Sequence, residues 1–169
     1  MYKVICIPLK KKSPFYTYSI NTTTLERVDT FKYLGVTINN KLKWGDRITE
    51  VTARASCTLN LLRRTMRDCH RDAKTKAYTA LVRPILEYSA PVWAPHEHQH
   101  INALEKVQKR AARWVIGARW NRQLNCWSSP YSKSCHDLQW LTLQQRHLLL
   151  CQCQTFKIVH GIDYMYQFL

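Results

Sequence analysis

Lys106, Lys109, Arg110 and Arg113 stand at intervals of three, one and three. At roughly 100° per residue they gather on one side of a helix as a cationic ridge about two turns long. Leu104, Val107, Ala111, Trp114 and Val115 gather on the other side, with Glu105 at the edge. Packing the apolar face inward turns the ridge outward. Ammonium and guanidinium groups in that arrangement suit a phosphate backbone, because each contact releases condensed counterions. A plain solvated face carries the same pattern, so the rest of the chain must weigh in. It holds 26 Lys and Arg against 11 Asp and Glu, a formal net charge of +15. Such an imbalance implies a polyanionic partner, nucleic acid first and an acidic membrane surface second. Arg63, Arg64 and Arg67, with Arg71 just beyond, add a second cationic group on an earlier helix.

Other chemistries find less support. The carboxylates are scattered: no two are adjacent and no pair flanks a strand turn. A two-metal phosphoryl-transfer site needs convergent carboxylates, so no catalytic residue and no metal ligand is assigned. His96, His98 and His100 alternate, Cys135 precedes His136, and Cys151 and Cys153 flank Gln152. Zinc sites favour CxxC pairs, and none occurs; these residues read as a His-rich loop between helices and as buried thiols. Seven cysteines at irregular spacing, without a secretory signal at the N-terminus, point to reduced thiols in the cytoplasm or nucleus. Four glycines leave no GxGxxG or GxxxxGK[ST] loop. No apolar run reaches the length of a membrane span. The reading therefore includes no cofactor, no small-molecule substrate and no membrane, and oligomeric state is left open. The six tryptophans read mostly as core anchors, with base stacking by an exposed Trp120 as a further use.

Two kinds of element must position these groups. Over residues 1–43, β-branched and aromatic residues alternate with Asn and Pro punctuation. The runs at 3–9, 15–20 and 31–38 predict a small antiparallel sheet, with a bulge or close approach at Gly35. Beyond Trp44 the period is helical. Ile48, Val51, Ala55, Leu59, Leu62 and Met66 recur every three or four residues behind Asp46 as cap. A second helix, capped by Asp72, places Ala73, Ala77, Ala80 and Leu81 on one side and breaks near residue 83, before Pro84. A third ends at Gly117. Residues 118–137 read as an irregular loop. Thr142 and Gln145 form a capping box for a last helix. The fold class is α+β: a small N-terminal antiparallel sheet followed by a mainly helical bundle.

These blocks carry a resemblance. FKYLGVTI at 31–38, Leu42-Lys43-Trp44 and Ile48 resemble the last sequence block of reverse transcriptases of LINE-type, jockey-like non-LTR retrotransposons. LVRPILEYSAPVW at 81–93, LEKVQKRAARWVIG at 104–117, Leu138-Gln139-Trp140 and KIVHG at 157–161 resemble the blocks that follow, in order and spacing. Together they are specific. The resemblance implies that residues 1–43 are the end of the palm, with Tyr33, Leu34 and Gly35 in the primer-grip neighbourhood. It implies a helical, thumb-like region at 44–117, a C-terminal helix at 138–161 and a truncated tail at 162–169. The family's paired catalytic aspartates lie in the palm, outside these blocks, and its magnesium belongs to the full-length enzyme. The chain is then a transposable-element remnant that binds the RNA or DNA backbone of a template–primer and does not polymerise. The alternative is a stand-alone basic helical module, derived from such an element, that binds nucleic acid or protein. Residues 118–137 match the family poorly, and Leu141 stands where Pro is usual; both fit a decaying copy. Without the palm above it, the sheet is expected to expose Tyr33 and Val36 as an associating patch.

Overall fold

The computed structural model describes residues 3–7, 16–123 and 125–161. The chain divides into two units, residues 1–49 and 50–169. Short ladders build the first. β1 (Lys3–Val4) pairs in parallel with β4 (Glu26–Arg27). β2 (Ser19–Ile20) pairs antiparallel with β3 (Thr23–Thr24), and β5 (Thr30–Tyr33) with β6 (Val36–Asn39). The expected single antiparallel sheet is thus replaced by separate two-stranded ladders, one of them parallel. Strands of two residues offer only about 7 Å of edge, too little to recruit a third. Part of the predicted second strand, at Phe15, lies outside the described residues.

β5 and β6 close through Leu34 at φ +46° and Gly35 at φ +78°. Two successive left-handed residues make a two-residue hairpin turn, so Gly35 turns the chain and no bulge forms. Its carbonyl accepts a hydrogen bond from Arg47 Nη1 at 2.9 Å. Tyr33 and Leu34 are 60% and 73% exposed, but Val36 is buried and leaves the expected patch.

α1 (Gly45–Thr65) carries Asp46 inside its first turn, not at the cap; there the carboxylate meets the positive end of the helix dipole. Its stripe of Ile48, Val51, Ala55, Leu59 and Leu62 is buried. α2 (Arg71–Ala77) is capped by His70, whose Nδ1 accepts from the Asp72 backbone N–H at 3.4 Å. Asp72, expected as the cap, sits in the first turn for the same electrostatic reason.

The break expected near residue 83 is a π-helical turn, Tyr78–Val82, followed by α3 (Arg83–Glu87). The Arg83 N–H donates to the Tyr78 carbonyl, five residues back. Pro84 has no N–H and its ring crowds the carbonyl four residues before it; the wider turn relieves that crowding and lets the helix continue. The buried face changes with it. Tyr78, Val82 and Leu86 are fully buried at a constant spacing of four, while Ala80 and Leu81, expected inside, are exposed.

α4 (Ala90–Trp93) buries Trp93 completely. α5 (His98–Ile116) ends at Gly117 with φ +75°, and the Ala118 N–H donates back to Arg113 at 2.9 Å. The stretch 118–137 is not irregular throughout. It holds a hairpin of β7 (Trp120–Asn121) and β8 (Cys126–Trp127), then α6 (Tyr131–Leu138) with Pro130 at its N-cap. α7 (Leu143–Val159) starts with the reciprocal Thr142–Gln145 capping box. The helical unit packs α5 against α2, α6 and α7.

A polar chain crosses that packing. Tyr78 Oη donates to Gln108 Oε1 at 3.0 Å. Gln108 Nε2 donates to Tyr131 Oη at 3.0 Å and to the Leu141 carbonyl at 2.8 Å. Tyr131 in turn donates to Glu105 Oε2 at 2.6 Å, and Glu105 Oε1 accepts from the Gln144 N–H at 3.1 Å. Glu105, expected at the edge of α5, is therefore buried and satisfied. Burial pushes the phenols of Tyr78 and Tyr131 up.

His147 sets a pH dependence. Its ring is buried with Nε2 2.9 Å from the Leu86 carbonyl. Desolvation lowers its pKa, against the smaller upward pulls of the Leu86 carbonyl and Glu87. The unfolded chain therefore takes up this proton first as pH falls. The contribution is complete above the unfolded value of about 6.5 and declines below it, by up to about 1.4 kcal/mol per pH unit. Urea unfolding at about pH 7.5 and about pH 5.5 is expected to show that decline, and His147→Gln to flatten it. An unchanged pH slope in the variant would assign the titration to another group.

Candidate nucleic-acid interface

The last turn of α1 projects Arg63 and Arg64 outward, because Leu59 and Leu62 occupy the buried side, and Arg67 stands exposed in the turn that follows. These arginines, Asn60 and Trp114 of α5 line a groove of about 650 Å³. Among the described residues none of the three arginines has a carboxylate partner. Arg110 closes one side, its Nη2 donating to Asn60 Oδ1 at 2.6 Å. Lys74 closes another: its Nζ donates to the Arg67 carbonyl at 2.9 Å and lies 5.9 Å from the Trp114 ring centroid. Three arginines from α1 and the turn after it thus share a groove with one half-buried indole, with Lys74 of α2 beside the ring and Arg110 of α5 beside Asn60. The Trp114 Nε1 donor is buried without a hydrogen-bond partner among the described residues.

The four cations read as one ridge on α5 are divided by what packs beside them. Arg110 belongs to the groove. Lys109 Nζ lies 5.1 Å from the Tyr131 ring centroid, and the Arg113 guanidinium 4.4 Å from that of Trp127. Both therefore serve the flank that receives the β7–β8 hairpin and α6. Lys106 stands exposed. Burial lowers the Arg113 pKa, yet guanidinium stays charged at any ordinary pH, so stacking does not cancel its field. Trp114, expected on the inward face, sits at the margin between the buried arc and Arg110.

Tryptophan burial departs from expectation in the same way. Trp93 is fully buried, Trp44, Trp114, Trp127 and Trp140 are half-buried, and Trp120 is exposed. Cations explain much of this. Besides Lys74 and Arg113, Arg83 lies 5.7 Å from both Tyr78 and Trp140, whose rings stack 4.4 Å apart. In a chain rich in Arg and Trp, a cation over an indole replaces part of the core contact. Tyr33, Leu34 and Gly35 share the turn of the β5–β6 hairpin in the first unit.

The histidines and thiols form no comparable site. His96 precedes α5 while His98 and His100 begin it, so they share no helical face; His100 Nε2 lies 3.4 Å from Glu97. Among the described residues no three His, Cys, Asp or Glu groups converge. Cys135 is buried and its thiol is pushed up by desolvation, the opposite of an activated thiolate.

No family model and no solved structure matches the chain. It is 29% identical over 114 residues to the RNA-directed DNA polymerase from mobile element jockey of Drosophila funebris, covering 64% of this chain and 12% of that protein. It is 26% identical over 158 residues to the probable RNA-directed DNA polymerase from transposon BS of Drosophila melanogaster, covering 84% and 17%. For the probable polymerase from transposon X-element of the same species the figures are 23% over 119 residues, 69% and 13%. The chain is reverse-transcriptase-like. The resemblance to jockey-type non-LTR elements read from FKYLGVTI and the later blocks is thus met by full-sequence comparison. This reverse-transcriptase-like chain spans between 12% and 17% of the length of these relatives.

Proposed function

We propose that the chain is a backbone-binding, thumb-like part of a retrotransposon reverse transcriptase, without polymerase chemistry of its own. The observation that carries the reading is the groove of Arg63, Arg64 and Arg67, closed by Lys74 and Arg110 around Trp114. Guanidinium forks match phosphate oxygens bidentately, and here two come from the last turn of α1 and a third from the turn just beyond it. Such contacts position a duplex without reading its bases.

The absence of chemistry rests on what the acids already do. Glu87 forms a two-point ion pair with Arg146 through Nε–Oε1 and through Nη2–Oε2 at 2.9 Å. Glu105 is held in the polar chain. Asp29 accepts from Asn40 at 2.8 Å, and Glu26 pairs with Lys3 at 3.1 Å. Each of these four acids is tied to its own partner, so no two of them form the convergent pair that two metal ions need. Magnesium and the paired aspartates belong, in this reading, to other parts of the polymerase.

Two measurements test it. The purified chain is expected to bind a fluorescent RNA–DNA or DNA duplex with similar affinity across sequences, as backbone contacts require. It is expected to show no extension of a primed RNA template. Metal-dependent extension abolished by mutating one of its own acids would falsify the non-catalytic reading, and failure to bind duplex at low salt would end the backbone-binding one.

A further inference from the structure

The β7–β8 hairpin sets two indoles against each other. Trp120 and Trp127 are register partners, with ring centroids 5.3 Å apart and planes at 70°. Their environments differ. Trp127 is half-buried and lies under the Arg113 guanidinium, which ties the hairpin to α5. Trp120 is 45% exposed and packs in a T-shaped arrangement with its anchored neighbour. Arg119, Asn121, Arg122, Gln123 and Ser128 line, with Trp120, an open depression of about 420 Å³. The rim is fixed in part by its backbone: the Arg119 N–H donates to Ser128 Oγ at 3.0 Å, and the Ser128 N–H to the Arg119 carbonyl at 2.9 Å. Arg119 and Arg122 have no carboxylate partner among the described residues. The stack thus has a packed base, an accessible indole and, beside it, two guanidinium groups with no carboxylate partner among the described residues.

We propose that this hairpin is a stacking site for an unpaired nucleobase, with Arg119 and Arg122 receiving the flanking phosphates. A base inside a duplex has both π-faces covered by its neighbours, so away from the duplex ends a flat indole stacks on an unpaired base. The site is separate from the arginine groove but shares its helix. Arg113 and Trp114 are consecutive residues of α5, and the first carries the hairpin while the second lines the groove. The nucleic acid that uses both is one in which a duplex gives way to a single strand. The inference rests on the backbone-binding reading proposed above and adds to it the strandedness of the ligand.

Fluorescence anisotropy with a blunt duplex and a mixed-sequence single strand, the latter as DNA and as RNA, separates the two claims. Trp120→Ala is expected to weaken single-strand binding by about 5- to 150-fold, the range for loss of one base–aromatic stack. It should leave the duplex Kd and the single-strand salt slope unchanged, since no charge is lost. Trp120→Phe should restore most of the affinity. Arg122→Gln, which keeps both indoles, should instead flatten the single-strand salt slope by about 0.7. Wild-type duplex binding together with a single-strand Kd unmoved by Trp120→Ala overturns the stacking site alone. Equal losses on duplex and single strand overturn it as well. A wild type that binds neither probe removes both this site and the reading on which it rests.

Discussion

Replacing Arg63, Arg64 and Arg67 together with Gln is expected to flatten the salt dependence of duplex binding by about 2.7 in d log K/d log[salt], at about 0.9 per phosphate contact. At about 0.1 M salt that corresponds to a roughly 500-fold loss of affinity. The expectation follows from placement. All three side chains are exposed and line one groove. The comparison that isolates the groove removes the same charge elsewhere, from Lys106, Lys109 and Arg113. Lys109 and Arg113 lie over Tyr131 and Trp127, on the other flank of α5, so that variant should lose far less slope. Equal slopes for wild type and the groove variant would reduce the arginines to a solvated face. Equal slopes for the two triple variants would show that only net charge is read. Arg63 and Arg64 also stand in the last turn of α1, where each cation offsets the helix dipole by about 0.3–1 kcal/mol. A small drop in melting temperature is therefore expected alongside the binding loss.

Trp93→Ala is expected to cost about 3–5 kcal/mol of folding stability, the range for emptying a buried aromatic site. Trp93 has no exposed surface, its Nε1 donates to the Tyr88 carbonyl at 2.8 Å, and its ring meets His147 edge-on at 5.4 Å between centroids. The short helix α4 holds it beside α7, so neighbours tied to two other elements cannot collapse into the gap. Trp93→Phe keeps most of the buried area and drops the hydrogen bond to the Tyr88 carbonyl, at about 0.5–1.5 kcal/mol. Urea denaturation of the three proteins at one pH reads the series. A loss below about 1 kcal/mol for Trp93→Ala would mean that the site is loosely packed.

Local rules made some of this architecture legible. The α1 stripe, the Gly117 cap and the Thr142–Gln145 box each depend on residues within a few positions of one another, and each is in place. The failures have a different origin. The apolar face of residues 73–81 was misassigned because a 3.6-residue period does not hold through the turn before Pro84. Gly35 reads as a bulge or a close approach, and not as half of a two-residue turn, because the positive φ of Leu34 leaves no mark in residue type. α6 had a start signal in Pro130, but eight residues give too few turns for periodicity. The candidate site shows the same division. The cationic spacing of Lys106, Lys109, Arg110 and Arg113 on α5 was legible from the sequence alone. Their partition between Asn60, Tyr131 and Trp127 was not, because those partners lie far away in sequence and are chosen by packing.

The π-helical turn has one further effect. A turn that holds five residues inserts one position beyond α-helical count, and each position is worth roughly 100° of rotation. Tyr78–Val82 therefore acts as a phase shifter between α3, whose Leu86 is fixed in the core, and α2. Rewound as a regular helix, the same residues would swing the azimuth of α2 by about a quarter turn and carry Lys74 away from Trp114. A proline near one end of the helix thus determines which compass direction a lysine at the other end faces, and with it the cationic wall of the groove.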